Sequence, residues 1–458
     1  MKAERKVETG QGARSRVLLE IEGLLRGGRR EEALAAHDRA IGLQSDSADF
    51  IDALAFFARE LNRHELSGSL YRRATTLAPE VARYWYNLAT SERALGHLAA
   101  SATACDRALT LEPDMTPAVL LRSEVSRATP IDNRVAELEK RASLLAGRPE
   151  AVPLLYALGK ELHELGDYDR AFRAFAEGAG IRRRVLHYDV AADEAKLKRI
   201  AEVYGAPQSS GRTLSGNRHI FIIGLPRSGT TLTERILSGL PGVISNNETD
   251  NFSTALIRAA PKHGGDIFER AAKADDAIVA REYEARAVPQ AFTGKIIEKL
   301  PFNYLYVGAI RRAFPDAAIV WVARNPLDSC FAMFRTLFAS AYPFSYEFSE
   351  LARYYAAYSR LMQHWLALFP NQIIPVVYEE LVARPEMVAP ELAARCGLAW
   401  ADRALDIASN QSASLTASAA QVRAGIYTSS SGLWRSYREH LSPLAAALRS
   451  QGVAFDWA

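Results

Sequence analysis

The chain has 458 residues, 48% hydrophobic and 24% charged, a mix that fits roughly two to four soluble globular domains. Its formal net charge is only +3, so no broad basic face for nucleic acid is expected and any anion site has to be local. Three widely spaced cysteines (Cys105, Cys330, Cys396), an opening segment without an apolar signal core and the lack of any run of about 18 apolar residues exclude a disulfide framework, a zinc ribbon and a membrane span, and point to the cytoplasm.

Residues 1–204 carry a period of 34. Leu54 and Leu88 are so spaced, as are Ala74 and Ala108, and Pro79 and Pro113; the same register aligns Gly28 with Asn62 and Gly96, and Ala40 with Ala74. Each unit reads as two amphipathic helices with a tight turn near Gly28, Asn62 or Gly96. Small residues let the helices approach, and Tyr71 and Trp85 fill gaps. A further unit, residues 154–179, carries Gly159, Gly166, Tyr168, Ala171 and Phe175, two residues out of phase; segment 129–134 absorbs the slip. The pattern resembles the tetratricopeptide repeat, which implies an all-α solenoid whose concave face binds a peptide or protein.

The stretch 205–218, rich in Gly, Ser and polar residues, reads as a linker. Residues 219–458 form the next domain. HIFIIGL, AAIVWVA (317–323) and QIIPVVY (372–378) have the length and β-branched content of buried strands, with helical patterns between them. Such alternation predicts an α/β domain with a mainly parallel sheet.

GLPRSGTTLTERIL, residues 224–237, joins the first of these strands to a helix. Such a junction aims backbone N–H groups and the positive helix end at one point, which suits a phosphate. Pro226, Arg227, Ser228, Gly229, Thr230, Thr231 and Leu232 make up the cradle. Gly224 and Gly229 have Walker A spacing, but Thr230 stands where a triphosphate-gripping lysine would follow, and the cation is Arg227 inside the loop. A loop of this kind fits one phosphate bearing one transferable group.

FIIGLPRSGTTL resembles the 5′-phosphosulfate loop of sulfotransferases, in the style of tyrosylprotein sulfotransferases and tetratricopeptide–sulfotransferase fusions, and the likeness runs from residue 219 to about 440. The resemblance implies a P-loop, kinase-like fold, the donor 3′-phosphoadenosine 5′-phosphosulfate (PAPS), the product 3′-phosphoadenosine 5′-phosphate and chemistry without a metal. It implies that Glu248, in SNNETDNF, is the general base for an acceptor hydroxyl, and that Lys299, in IIEKLPFNYLY, stands with Arg227 at the reacting group. Asp250 departs from the arginine that the tyrosylprotein enzymes carry two residues after the glutamate.

By the same resemblance Arg324, in VARNPLDSC, holds the 3′-phosphate. The family's serine eight residues later is Ala332 here, with Ser329 one turn earlier as a substitute. Tyr378 matches a tyrosine near the donor base, and Ser418, Gln421 and Val422 fall in a nucleotide-covering loop whose usual cation before the tryptophan is Leu433. The acceptor, a peptide or protein tyrosine in the first reading, would be bound with help from the repeats. The alternative, favoured by Ala332 and Leu433, is an interaction protein with a degenerate nucleotide-binding domain. No HExxH motif and no carboxylate-flanked histidine pair calls for a metal.

Overall fold

The computed structural model describes residues 2–43, 45–206, 218–289, 291–338, 341–410, 413 and 425–457, without the side chains of residues 2–11 and 13. Two compact units part between Ser126 and Arg127.

The first unit is built of antiparallel helix pairs, Lys2–Gly27 with Arg30–Gly42, Ala48–Glu60 with His64–Leu77, and Ala82–Leu95 with Leu98–Leu111, followed by Thr116–Glu124. The turn positions aligned by the sequence period share one backbone state: Gly28, Asn62 and Gly96 have φ of 71°, 59° and 86°. That left-handed conformation is open to glycine and, among other residues, chiefly to Asn. A side-chain bond repeats with the same period. Ser67 Oγ donates to the carbonyl of Ala55 and Ser101 Oγ to that of Ala89, both at 2.7 Å. Alanines at the crossings, among them Ala40, Ala55, Ala74, Ala89 and Ala108, have no exposed surface, so any larger side chain would push helices apart. Tyr71 is buried as expected; Trp85 is partly buried against the same core, with its indole N–H on the Pro79 carbonyl at 2.9 Å, and its neighbour Tyr84 is buried as well.

The second unit holds the last repeat-like hairpin, Val152–Glu164 with Tyr168–Arg184 and Gly166 at φ 81°, together with the α/β body. The hairpin packs on that body through polar and aromatic contacts. Tyr156 Oη donates to the Phe334 carbonyl at 3.1 Å, and Arg183 makes two 2.6 Å bonds to Glu350. The Phe172 ring stacks on His440 with centroids 4.5 Å apart. Of the expected linker, only Gly205, Ala206 and Arg218 lie within the described residues.

The sheet has five parallel strands, β1 His219–Gly224, β2 Val243–Ser245, β3 Lys295–Lys299, β4 Ala318–Ala323 and β5 Ile373–Val377, in the order β2-β3-β1-β4-β5. Both faces of β1 are covered. Ile220 and Ile222 pack with Ile236 and Leu237 of helix Thr230–Ser238, while Phe221 meets Phe252, Tyr283 and Phe314 on the other side. This explains why β1 reads as an unbroken apolar run. β3 has no such run: Glu298 and Lys299 are wholly buried in it. The register pairs Ile222 with Lys299, Gly224 with Val322 and Ala323 with Val377, so the C-terminal ends of β1, β3, β4 and β5 form one edge, where open α/β sheets bind ligands.

Candidate active site

The loop after β1 bends sharply. Gly224 has φ 155° and a Cβ there would lie 2.8 Å from the Val322 carbonyl oxygen; Arg227 and Gly229 follow at φ 65° and 108°. A Cβ on Gly229 would come within 2.3 Å of the Tyr378 ring, so glycine is needed both for the turn and for the ring's approach. Helix Thr230–Ser238 starts at once, with its first N–H groups at the bend. Ser228 is buried and its hydroxyl meets no partner among the described residues, an orphan donor beside those amides that fits an anion seated in the loop.

The loop opens on a cavity. Arg227, Gly229, Thr230, Thr231 and Leu232 line it from one segment, and Arg324 and Tyr378 from the ends of β4 and β5. Arg324 lies over the Tyr378 ring at 4.6 Å and donates to the carbonyls of Arg227, at 2.7 Å, and Ser430. Tyr378 Oη is 2.5 Å from Ser430 Oγ. Residues 425–433 thus close over the same space, and Asp328 fixes them by accepting the N–H of Gly432 at 2.6 Å and of Trp434 at 3.0 Å. Trp434 is a buried lid aromatic stacked on Trp457.

Ala332 and Leu433, the two departures in the sequence, both line this cavity. So does Arg335, one turn after Ala332 on the exit of helix Pro326–Phe334. Burial lowers its pKa, and the nearby Arg324 guanidinium opposes its charge further. Ser329 is buried within that helix and does not line the cavity, whereas Arg335 does. Ser418, Gln421 and Val422 lie outside the described residues.

Glu248 and Lys299 meet. Lys299 Nζ donates to Glu248 Oε1 at 2.7 Å and lies 3.4 Å from Glu234 Oε2. Burial works against the ammonium, but Glu234 and Glu248 outweigh it and raise its pKa, so it stays charged. Glu234 sits on the loop's own helix and is held by the Ser245 hydroxyl. The sequence pattern does not single out Glu234, although its place one turn past Thr230, in the helix that leaves the loop, is a signal. Glu298 was also passed over. It accepts from Asn246 Nδ2 at 3.0 Å, Thr249 Oγ1 at 2.5 Å, Asn251 Nδ2 at 3.3 Å and Tyr283 Oη at 3.3 Å, and so ties down the segment that carries Glu248. Burial pushes its carboxyl up to about 7 against the pull of those donors.

Residues 219–402 match the model described as "Sulfotransferase family", and residues 82–115 that of the tetratricopeptide repeat. The chain carries a sulfotransferase-family domain. An uncharacterized protein of Aquifex aeolicus is 31% identical over 313 residues, 64% of this chain and 41% of that protein. Protein-tyrosine sulfotransferase 2 of Gallus gallus is 27% identical over 199 residues, 41% of this chain and 53% of that protein. These matches span about half the length of the curated relatives. Among solved structures, the sulfotransferase domain of the Synechococcus PCC 7002 olefin synthase is 16% identical, with 54% of this chain and 99% of that domain covered and a TM-score of 0.37. The domain from the curacin biosynthetic pathway is 14% identical, with 54% and 100% covered and a TM-score of 0.38. Among the described residues no cluster of three His, Cys, Asp or Glu side chains is placed to hold a metal ion, and no helix is long and apolar enough to cross a membrane.

Proposed function

We propose that this protein transfers a sulfuryl group from PAPS to an acceptor hydroxyl, with Glu248 as the general base. The observation that carries the reading is the convergence of the Arg227 loop, Arg324 and Tyr378 on one cavity at the C-terminal edge of the sheet; the Lys299–Glu248 pair stands at the end of β3 on that edge, outside the cavity lining. In this reading residues 226–232 seat the donor's 5′-phosphosulfate, and Arg324 with Arg335 takes the 3′-phosphate in the absence of a serine at 332. Tyr378 lies against the nucleotide.

PAPS supplies the activated sulfuryl group, whose bond to the 5′-phosphate breaks as the acceptor oxygen bonds to sulfur. Glu248 takes the acceptor's proton. Lys299, which stays charged, and Arg227 stabilise the negative charge that grows on the departing phosphate oxygen. Glu234 keeps the ammonium in place once Glu248 is protonated. The supply of cations here calls for no metal. The acceptor is assigned to a peptide or protein hydroxyl, tyrosine first, brought by the helical repeats, and the location to the cytoplasm.

Glu248→Gln is expected to abolish transfer of radiolabelled sulfate from PAPS to a tyrosine-peptide panel, while binding of adenosine 3′,5′-bisphosphate stays within about threefold. Retained transfer removes Glu248 from the role. Nucleotide binding by the unaltered protein with no transfer to any acceptor favours the second reading, a nucleotide-sensing interaction protein, for which Ala332 and Leu433 in the cavity wall speak.

A further inference from the structure

One wall of the cavity comes from outside the sulfotransferase-family region. Lys160, His163 and Glu164 all line it, and all lie on helix Val152–Glu164 of the repeat-like hairpin. Their placement is fixed. Lys160 Nζ is 2.8 Å from Glu164 Oε2, and that carboxylate also accepts the N–H of Ala128 at 2.7 Å. His163 Nδ1 is 2.9 Å from Tyr437 Oη. Burial, then Arg335, then Lys160 push the imidazole down to about 3, so it is neutral and both cations bear on the same ring.

Among the described residues, the charges facing the cavity are therefore Arg227, Arg324, Arg335 and Lys160 against Glu164. Arg324 and Arg335 oppose each other. A concave space with this excess of cations favours a ligand that carries more than one anionic group. Arg227 belongs to the loop, whereas Lys160 and Arg335 both act on the ring of His163.

We propose that Lys160 is a donor-site residue whose ammonium, with Arg335, binds the second phosphate of the nucleotide, so that helix Val152–Glu164 is part of the nucleotide pocket. The inference rests on the reading of this cavity as the PAPS site. It makes the hairpin before the α/β body a part of donor recognition. A fragment that starts at residue 219 would lack one phosphate contact.

The test uses the full chain and two ligands, adenosine 3′,5′-bisphosphate and adenosine 5′-monophosphate, by calorimetric titration. Lys160→Met is expected to weaken the bisphosphate about 10- to 100-fold and to leave the monophosphate within about threefold; Lys160→Arg keeps most of the preference. The monophosphate arm also reports an intact fold. Loss of both ligands in proportion marks Lys160 as structural and overturns the proposal, as does unchanged binding of both. If the unaltered protein binds neither nucleotide, the PAPS reading itself fails, and the assignment of Lys160 falls with it.

Discussion

Replacing Glu298 with glutamine separates the work of a buried carboxylate from its shape. The folded protein holds this carboxyl near 7, against an ordinary value of 4.5. Between those values the folded chain keeps a proton that the unfolded chain has lost, so stability falls as pH rises through the window. From pH 5 to pH 8 the difference amounts to roughly 2–3 kcal/mol. Glutamine keeps the volume but does not titrate, and its amide N–H groups face the donors of Asn246, Thr249, Asn251 and Tyr283. Urea unfolding of both proteins across this range is the assay. Every other ionisable group is common to the two proteins, so its contribution cancels in the comparison. The unaltered protein is expected to lose stability relative to Glu298→Gln as pH rises, by roughly several tenths of a molar in urea midpoint. Curves that stay parallel from pH 5 to pH 8 would refute the reasoning. Transfer is expected to fall in the variant at every pH, because Asn246 and Thr249 flank Glu248 and lose an acceptor that matches them.

Three further substitutions test other parts of the site and the hairpin. Lys299→Met leaves Glu234 and Glu248 without their shared cation, and is expected to cost about 3–5 kcal/mol in urea unfolding and to abolish transfer; adding Glu234→Gln should recover part of the stability and none of the activity. Gly229→Ala sets a methyl 2.3 Å from the Tyr378 ring at φ 108°, and is expected to weaken adenosine 3′,5′-bisphosphate by at least about tenfold in calorimetry. Gly159→Ala brings a methyl within 2.6 Å of the Phe175 ring and should destabilise by about 1–3 kcal/mol, with Phe175→Leu restoring most of it when the two are combined.

The helical units were legible because one constraint recurs. A turn that needs positive φ every 34 residues leaves Gly or Asn there, and a close helix crossing leaves Ala. The loop after β1 was legible for a similar reason: Gly224, Arg227 and Gly229 encode local geometry, and the functional groups follow within a few residues. Arg335 and Lys160 were not legible. Lys160 lies on a helix and Arg335 just past the end of one, places where a cation in sequence reads as solvated, and only the fold turns both toward the cavity. The repeat pattern assigns residues 154–179, two residues out of phase, to the repeats, and the contacts of Tyr156, Phe172 and Arg183 show how much of that hairpin's surface is given to the α/β body.

β3 shows why a buried charged strand escapes pattern reading. KIIEK has the polarity of a surface segment, since hydropathy records the charges and not their partners. The partners come from two sides. Strand side chains alternate, so Glu298 and Lys299 point to opposite faces of the sheet. Glu298 faces Tyr283 and gathers the side chains of Asn246, Thr249 and Asn251. Lys299 faces Glu234 and takes the carboxylate of Glu248 itself. The backbone adds a third tie, from the Asn246 N–H to the Ile297 carbonyl at 2.9 Å. One strand therefore holds both the segment that carries Glu248 and the carboxylate at its tip. The two buried groups thus secure different parts of one segment: Glu298 the side chains around Glu248, and Lys299 the carboxylate of Glu248 itself.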